Sequence, residues 1–440
     1  MRLSRDSKPI PSGSGQLGVM NFLNEVAGKY PKAISFASGR PAEEFFQIER
    51  WLNSIPDFIA RYADSLALGR DSAVRLIAQY GRTDGIINDL IARQLQIDEH
   101  IACNPDQLIV TAGCQEAIAL IISTLCRNVD DVVLVRTPTY IGLTGAAEHY
   151  GVQLAHVLCQ RPEELPHLVQ EEIGRLRKLG KHPRALYLTP DFDNPTGTVL
   201  STSTRDQLLA CCAAEGVLIL EDNPYGMFCY EGERQPALAA LDRQGCTIYL
   251  GTYSKTLCPA VRVGYILIPR ELLGSATQSR HLMERVSVAK SFITCNTSQF
   301  TQALVAGVLQ MESCSLARLV SPAREHYRNN LRVMTEALES TLGDLGDLVQ
   351  WNRPTGGFFL SLACPFDFKS EAVASCASAY GTIVMPMSFF ALTDDHDRWV
   401  RLAFSNLIVQ QVHTGIERFA RFVRSRILRP AHPHREHSNG

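Results

Sequence analysis

The sequence predicts an α/β fold, a mostly parallel sheet covered by helices, followed by a smaller α+β domain. Three observations predict it. Strand and helix signals alternate through the middle of the chain. The strand signals are near-continuous Val, Ile and Leu runs, which suit strands buried on both faces. From about Ser315 the texture changes to long amphipathic stretches around short strands. A length of 440 residues exceeds one small core and favours two domains.

Gln107–Val110 reads as the first strand of the sheet, and Gly113 opens a helical stretch from Cys114 to Arg127 with apolar residues at 117, 118, 121, 122 and 125. Val132–Val135 is the next strand and runs into Thr137-Pro138-Thr139-Tyr140. Ala185–Leu188 leads into Pro190-Asp191-Phe192-Asp193-Asn194-Pro195-Thr196-Gly197. Val217–Leu220 ends in Glu221-Asp222-Asn223-Pro224-Tyr225. Thr247–Leu250 ends in Gly251-Thr252-Tyr253-Ser254-Lys255, with Arg262 seven positions later, and a strand over Val263–Ile268 comes next. Beyond it, an amphipathic helix is expected over Pro322–Leu342. Then come Thr355-Gly356-Gly357-Phe358-Phe359-Leu360, a strand over Trp399–Ala403 and a final helix from about Ile408 to Leu428. That helix carries Ile408, Val412, Ile416, Phe419, Val423 and Ile427 on one stripe. The expected boundaries are 1–45 for an N-terminal arm and part of the smaller domain, 46–314 for the larger domain, 315–428 for the smaller C-terminal domain and 429–440 for a disordered tail.

Composition excludes several classes. Hydrophobic residues make up 45% and charged residues 20%, ordinary for a globular enzyme. The net charge of −2 gives no reason to expect nucleic acid or an anionic membrane surface as partner. No apolar run is long enough to span a bilayer, and Met1–Pro11 lacks the apolar stretch of a secretory signal, so a cytoplasmic location is expected. Thirteen cysteines with no Cys-x-x-Cys pair point to reduced thiols and no zinc site. Cys126, Cys211 and Cys376 read as core filler, and Cys114 and Cys258, which flank the expected site, receive no catalytic role. Gly13-Ser14-Gly15-Gln16-Leu17-Gly18 fits a dinucleotide glycine pattern but has no strand before it, so it reads as a flexible arm. The histidines of the tail are too irregularly placed for a metal site.

The chemistry is positional. Gly113-Cys114-Gln115, Tyr140, Asn194, Asp222 and Lys255 all lie just past the C-terminal ends of predicted strands, the edge where open α/β sheets bind ligands. Turn formation alone would not select an amine, an acid, an amide and a phenol there. A lysine able to form an imine and an acid able to keep a ring nitrogen protonated are what pyridoxal phosphate chemistry asks of a protein. Either residue alone reads as a surface lysine or a solvated loop acid.

By these motifs the chain resembles the fold-type I pyridoxal-phosphate aminotransferases of class I/II, nearest the 2-aminoadipate and kynurenine aminotransferase branch. The resemblance runs from Ile34-Ser35-Phe36-Ala37-Ser38-Gly39 to Arg401. Its most specific parts are Asp-Asn-Pro-Thr-Gly at 193–197, Glu-Asp-Asn-Pro-Tyr at 221–225, and Ser254-Lys255 with Arg262. It implies a seven-stranded-type sheet in the larger domain. Lys255 would hold the cofactor as an imine and move the substrate's α-proton, and Asp222 would pair with the pyridinium nitrogen. Asn194 and Tyr225 would bond the ring's 3′-oxygen, and Tyr140 would stack on the ring. Gly113, Cys114, Gln115, Thr252, Ser254 and Arg262 would cradle the phosphate. Tyr80 would reach the phosphate of a neighbouring subunit, which implies a homodimer with shared active sites. Arg401 would clamp the substrate carboxylate, with Asn194, Gly39 and Arg40 lining the substrate pocket.

Two departures stand out. Cys114 occupies a position where the family commonly has Ser, and backbone N–H groups would then carry the phosphate. Asp191 and Asp193 precede Asn194, either to cap the turn or to read a cationic substrate group; Arg40 is either a receptor for a distal carboxylate or solvated. The reaction expected is transfer of an amino group from an L-amino acid to a 2-oxo acid. The competing reading keeps fold and cofactor but ends in cyclisation, oxidation, or β/γ-elimination and replacement with carbon–carbon bond formation. A DNA-binding regulator built on this fold, and an inactive scaffold, fit less well.

Overall fold

The computed structural model describes residues 25–26, 28–391 and 396–428. The flexible arm expected at Gly13–Gly18 and the disordered tail expected from Arg429 lie outside them. The chain divides into two compact units. One comprises Arg40–Arg328 with Pro354–Phe359, and the other comprises the segment up to Gly39, Asn329–Arg353 and the segment from Leu360.

After a short strand β1 (Ile34–Ser35), which belongs to the smaller unit, come the strands of the larger unit. They are β2 (Leu108–Thr111), β3 (Asp131–Thr137), β4 (Gln153–Leu158), β5 (His182–Leu188), β6 (Leu218–Asp222), β7 (Thr247–Thr252) and β8 (Gly264–Leu267). They form one seven-stranded sheet in the order β2-β8-β7-β6-β5-β3-β4. Only the pairings of β8, with β2 and β7, are antiparallel. The apolar runs are buried on both faces because alternate residues join different cores. Val133 and Val135 pack with the helices Cys114–Leu125 and Ile141–Tyr150. Val132 and Leu134 pack with Leu165–Lys178 and Thr202–Ala214. A third core gathers Leu108, Val110 and Tyr265 against the helix Gln299–Met311.

The helix expected from Pro322 begins at Ala317, with Pro322 inside it. The chain ahead of it is tied by Asp98, which accepts from Ser315 Oγ at 2.6 Å and Leu316 N–H at 2.9 Å. The helix therefore starts upstream, and the proline costs one intrahelical bond near that end. Of the cysteines read as filler, Cys376 is buried, while Cys126 and Cys211 are only partly so; all thirteen are free thiols.

In the smaller unit β1 pairs in parallel with Thr382–Ile383. A second sheet runs in the order Met385–Pro386, Trp399–Ala403, Phe359–Ala363, Gln350–Trp351. The final helix, Val409–Leu428, buries Val412, Ile416, Phe419 and Val423 of the stripe read from the sequence, while Ile408 precedes the helix and is exposed and Ile427 is half-buried. Gly415 on that helix lets Phe36 approach so closely that any Cβ there would strike its ring. Among the described residues no helix is long and apolar enough to cross a membrane.

Candidate active site

The C-terminal ends of β2, β3, β5, β6 and β7 share one edge of the sheet, because these strands run in the same direction. Lys255 comes just after β7 and Asp222 ends β6. The two strands pair with Asp222 opposite Leu250, so acid and amine lie above neighbouring strands.

Asp222 is 4% exposed. Its Oδ2 accepts from the Tyr187 hydroxyl at 2.6 Å and its Oδ1 from the Cys114 thiol at 3.2 Å. Burial raises its pKa, while the Tyr187 and Cys114 hydrogen bonds and the charge of Lys255 pull it back down. Glu221, one residue earlier, faces the opposite side of the sheet. There its carboxylate accepts the N–H groups of Leu238 and Ala239, both at 2.8 Å, at the start of the short helix Leu238–Leu241. Lys255 Nζ stands 5.9 Å from the ring centroids of both Tyr225 and Phe358. Tyr225 is buried and packs edge-on against Phe358 at 5.2 Å and Phe359 at 5.5 Å. The segment carrying Phe358 is pinned by Gly357 N–H to Phe228 O at 2.9 Å and Tyr230 N–H to Thr355 O at 2.8 Å.

Gly113 caps the helix Cys114–Leu125 at φ 79°, a conformation that favours glycine. The Arg262 guanidinium lies where its Cβ would be, and it donates to Ala112 O at 3.1 Å. The first N–H groups of that helix have no intrahelical acceptor, and the exposed guanidinium beside them completes an anion cradle. Ser254 N–H bonds Thr252 Oγ1 at 3.1 Å in the adjacent turn. Gln115 turns its amide to Gly142 O at 2.6 Å, and Tyr140, half-buried, reaches Gln115 Oε1 at 3.5 Å. Asn194 is buried in the turn after β5. Asp193 caps that turn through Thr196 Oγ1 at 2.6 Å. Asp191 does not face a ligand: it is 1% exposed and forms an ion pair with the fully buried Arg205.

Of the other predicted residues, Tyr80 is 85% exposed and Arg40 exposed, both in the larger unit. Gly39, half-buried, belongs to the smaller unit. So does Arg401, which is buried, donates to Ala37 O and stacks its guanidinium 4.8 Å from the Phe390 ring centroid. Sequence reasoning missed Tyr187 and Phe358. The signal for Tyr187 was present, since a phenol in the buried C-terminal half of a strand must find a partner for its hydroxyl.

The donor set fits pyridoxal phosphate. A glycine-capped helix start with Arg262 suits the phosphate, a buried carboxylate suits the ring nitrogen, and an amine beside two aromatic rings suits the aldehyde carbon. A sheet of this topology with this site defines a fold-type I pyridoxal-phosphate enzyme. The family model "Aminotransferase class I and II" matches residues 31–419, and the chain belongs to that family. It is 39% identical to the (S)-3,5-dihydroxyphenylglycine transaminase of Amycolatopsis orientalis, over 93% of this chain and 92% of the relative. Aromatic-amino-acid aminotransferase 1 of Thermococcus litoralis is 28% identical over 89% of this chain and 88% of its own. The crystal structure of a multiple substrate aminotransferase from Thermococcus profundus superposes with a TM-score of 0.80 at 26% identity, covering 97% of this chain and 98% of that one. The protein is a pyridoxal-phosphate-dependent aminotransferase that moves an amino group from an amino acid to a 2-oxo acid.

Proposed function

We propose that the amino donor is an aromatic L-amino acid of the arylglycine kind and that the enzyme works as a homodimer. The observation that carries the substrate reading is the pairing of aromatic walls with the reacting amine: Tyr225 and Phe358 both stand 5.9 Å from Lys255 Nζ. The Amycolatopsis orientalis and Thermococcus litoralis relatives, both named for aromatic substrates, support it. An arylglycine carries its ring directly on Cα, so a flat apolar wall beside the amine favours it over a polar side chain.

Bound pyridoxal phosphate supplies an electron sink for the pair left on Cα when its proton departs. Lys255 would hold the cofactor through its amine, and its Nζ, once free, would serve as the base that moves the substrate's α-proton. Asp222, whose two donors counter the upward pull of burial, would pair with the ring nitrogen. Asn194 and Tyr225 would hydrogen-bond the cofactor's 3′-oxygen, and Tyr140 would stack on its ring. The N–H groups of Cys114 and Gln115, with Thr252, Ser254 and Arg262, bind the phosphate. Arg401 would pair with the substrate carboxylate through two hydrogen bonds of its planar guanidinium. Arg40, exposed, has no role with a donor that lacks a distal carboxylate.

The dimer reading rests on an exposed apolar surface. Tyr80 and Phe300 are 85% and 62% exposed, and Gln299 joins their neighbourhoods by donating to Gln79 O and to Leu76 O. A second copy covers this surface and receives the Tyr80 hydroxyl at its phosphate.

Purified enzyme mixed with (S)-3,5-dihydroxyphenylglycine, phenylglycine, phenylalanine, 2-aminoadipate and alanine tests this. We expect the arylglycines to convert bound cofactor to its pyridoxamine form fastest, with the matching 2-oxo acid released. Preference for 2-aminoadipate or alanine would refute the substrate class. Turnover without the pyridoxamine form would favour the elimination or cyclisation reading.

A further inference from the structure

We propose that Cys114 is a positioning residue for Asp222: its thiol, with the Tyr187 phenol, grips the acid by both oxygens, and Cys114 offers the phosphate only its backbone N–H. This deepens the reading of Asp222 as the partner of the ring nitrogen and rests on it.

The geometry is specific. Cys114 opens the helix that cradles the phosphate, yet its Sγ is 3.2 Å from Asp222 Oδ1 while Tyr187 Oη is 2.6 Å from Oδ2. That separation is short for a sulfur donor, whose larger radius lengthens an S–H···O bond. The backbone that carries the thiol is held in place. A Cβ on Gly264 would lie 2.8 Å from the Cys114 backbone nitrogen, so β8 already packs close beneath it, and Gly113 is fixed at φ 79°. Gln115, the next cradle residue, also spends its side chain elsewhere, on Gly142 O at 2.6 Å. Both side chains at the start of this helix therefore serve the ring's surroundings, and only their N–H groups are left for an anion.

Three donors then share one carboxylate: the thiol, the phenol and the ring N–H. A thiol is a weaker donor than a hydroxyl, so it orients the acid with little loss of its basicity. The charged and titratable groups facing this trio are Lys255 and Asp193 around Asp222, Arg262 beside Cys114, and Tyr140 beside Tyr187. Burial, then the charge of Asp222, raises the Cys114 thiol well above its ordinary value, which keeps it protonated and donating.

The test measures Cys114 alkylation by iodoacetamide across pH, resolved by peptide mass spectrometry, on the full chain without added cofactor. In Asp222→Asn the anionic acceptor that helps hold the thiol's pKa up is gone, and Cys114 should alkylate severalfold faster at pH 8. Cys258, measured in the same digest, should not change. Equal Cys114 rates in the two proteins would overturn the proposal. The second arm uses the cofactor-loaded enzyme, with thermal unfolding run beside it to show that each variant folds. The pH at which the bound cofactor's visible band titrates should move in Cys114→Ala and Tyr187→Phe and return toward wild type in Cys114→Ser. An unmoved band in both variants would also overturn it. Failure of the cofactor to bind at all would sink the functional reading, while the alkylation arm would still decide the pair.

Discussion

Arg205 offers the sharpest test of how the loop bearing Asn194 is held. It lies in the helix Thr202–Ala214 and is fully buried. Its guanidinium donates to Leu200 O at 3.0 Å, to Pro190 O at 3.2 Å and to Pro236 O at 2.9 Å, and pairs with Asp191. One side chain thus clasps both ends of the loop from Pro190 to Leu200. Arg205→Met keeps the volume but strands a buried carboxylate and two carbonyls; Pro190 O keeps a second donor in Leu200 N–H at 2.9 Å. Breaking a buried pair on one side costs about 3–5 kcal/mol, and a stranded carbonyl about 1 kcal/mol more. With two carbonyls stranded, a loss of about 6 kcal/mol is therefore expected. Unfolding entropy grows by roughly 2 cal/mol/K per residue, so for a chain of this length the midpoint should fall by about 7 °C. Asp191→Asn alone should cost less, because Arg205 retains three carbonyl acceptors. The double variant Asp191→Asn/Arg205→Met should be more stable than Arg205→Met, since it removes the stranded charge. Thermal and urea unfolding of the four proteins check this, with cofactor affinity as a second readout that should weaken as Asn194 loses its frame. A midpoint for Arg205→Met within about 1 °C of wild type, against the expected shift, or a double variant whose losses simply add, would refute the reasoning.

Other outcomes rest on the same geometry. Lys255→Ala should lose the covalent adduct that borohydride fixes at this position in the wild type, and its turnover should drop by at least about a hundredfold; an adduct at another lysine would contradict the assignment. Tyr80→Phe should weaken cofactor binding about tenfold, the worth of one hydrogen bond to a charged group, while leaving the monomer fold intact. Titration of stripped enzyme measures it, and an unchanged affinity would remove Tyr80 from the phosphate. Burial pushes the Glu221 carboxyl from 4.5 up to about 7. A raised acid favours the folded state fully below its ordinary value, and that contribution is lost as pH rises through about 7. Thermal midpoints should therefore fall between about pH 5 and pH 8. Glu221→Gln should remove part of the slope; Glu99, also pushed to about 7 by burial, supplies another part. An identical slope in Glu221→Gln would contradict the buried-acid account.

The sheet and most of its ligand edge were legible because parallel strands advertise themselves twice. Runs such as Val132–Val135 and Val217–Leu220 cannot be solvated on either face, and the segment after each run must be a connection at one common edge. Lys255, Asp222 and Asn194 all fall where that rule looks, and the motifs around them carried the expected roles. The direction of β8 was not legible, since Gly264–Leu267 is as apolar as its neighbours and periodicity carries no sign. Nor was the partner of Asp191, because Arg205 sits in a helix whose turn toward the loop depends on packing. Cys114 could be placed at the helix start, but whether its thiol faces a phosphate or an acid depends on the side-chain direction, which spacing alone does not determine. Pro322 misled for a simpler reason. A proline is a reliable start signal only where nothing upstream anchors the helix, and here Asp98 does.

Glu221 and Asp222 show why the strand register matters more than the identity of either acid. They are adjacent, both buried, and both raised by burial, yet one caps a helix and the other faces the amine. The pleat separates them, sending successive side chains to opposite faces, and the pleat is held by register: Leu220 lies opposite Tyr187 on one side and Ile248 on the other. A slip of one residue would send Glu221 toward Cys114 and Tyr187 and leave Leu238 and Ala239 without their acceptor. Asp222→Glu asks the milder question of reach. The longer side chain moves its carboxylate past the spot where Oδ1 and Oδ2 meet the thiol and the phenol, so it should keep the charge and lose both donors. If that variant binds cofactor and titrates like the wild type, charge alone suffices at this position and the two-sided grip is ornamental. If it behaves like Asp222→Asn, placement of the carboxylate is what the strand and its neighbours provide.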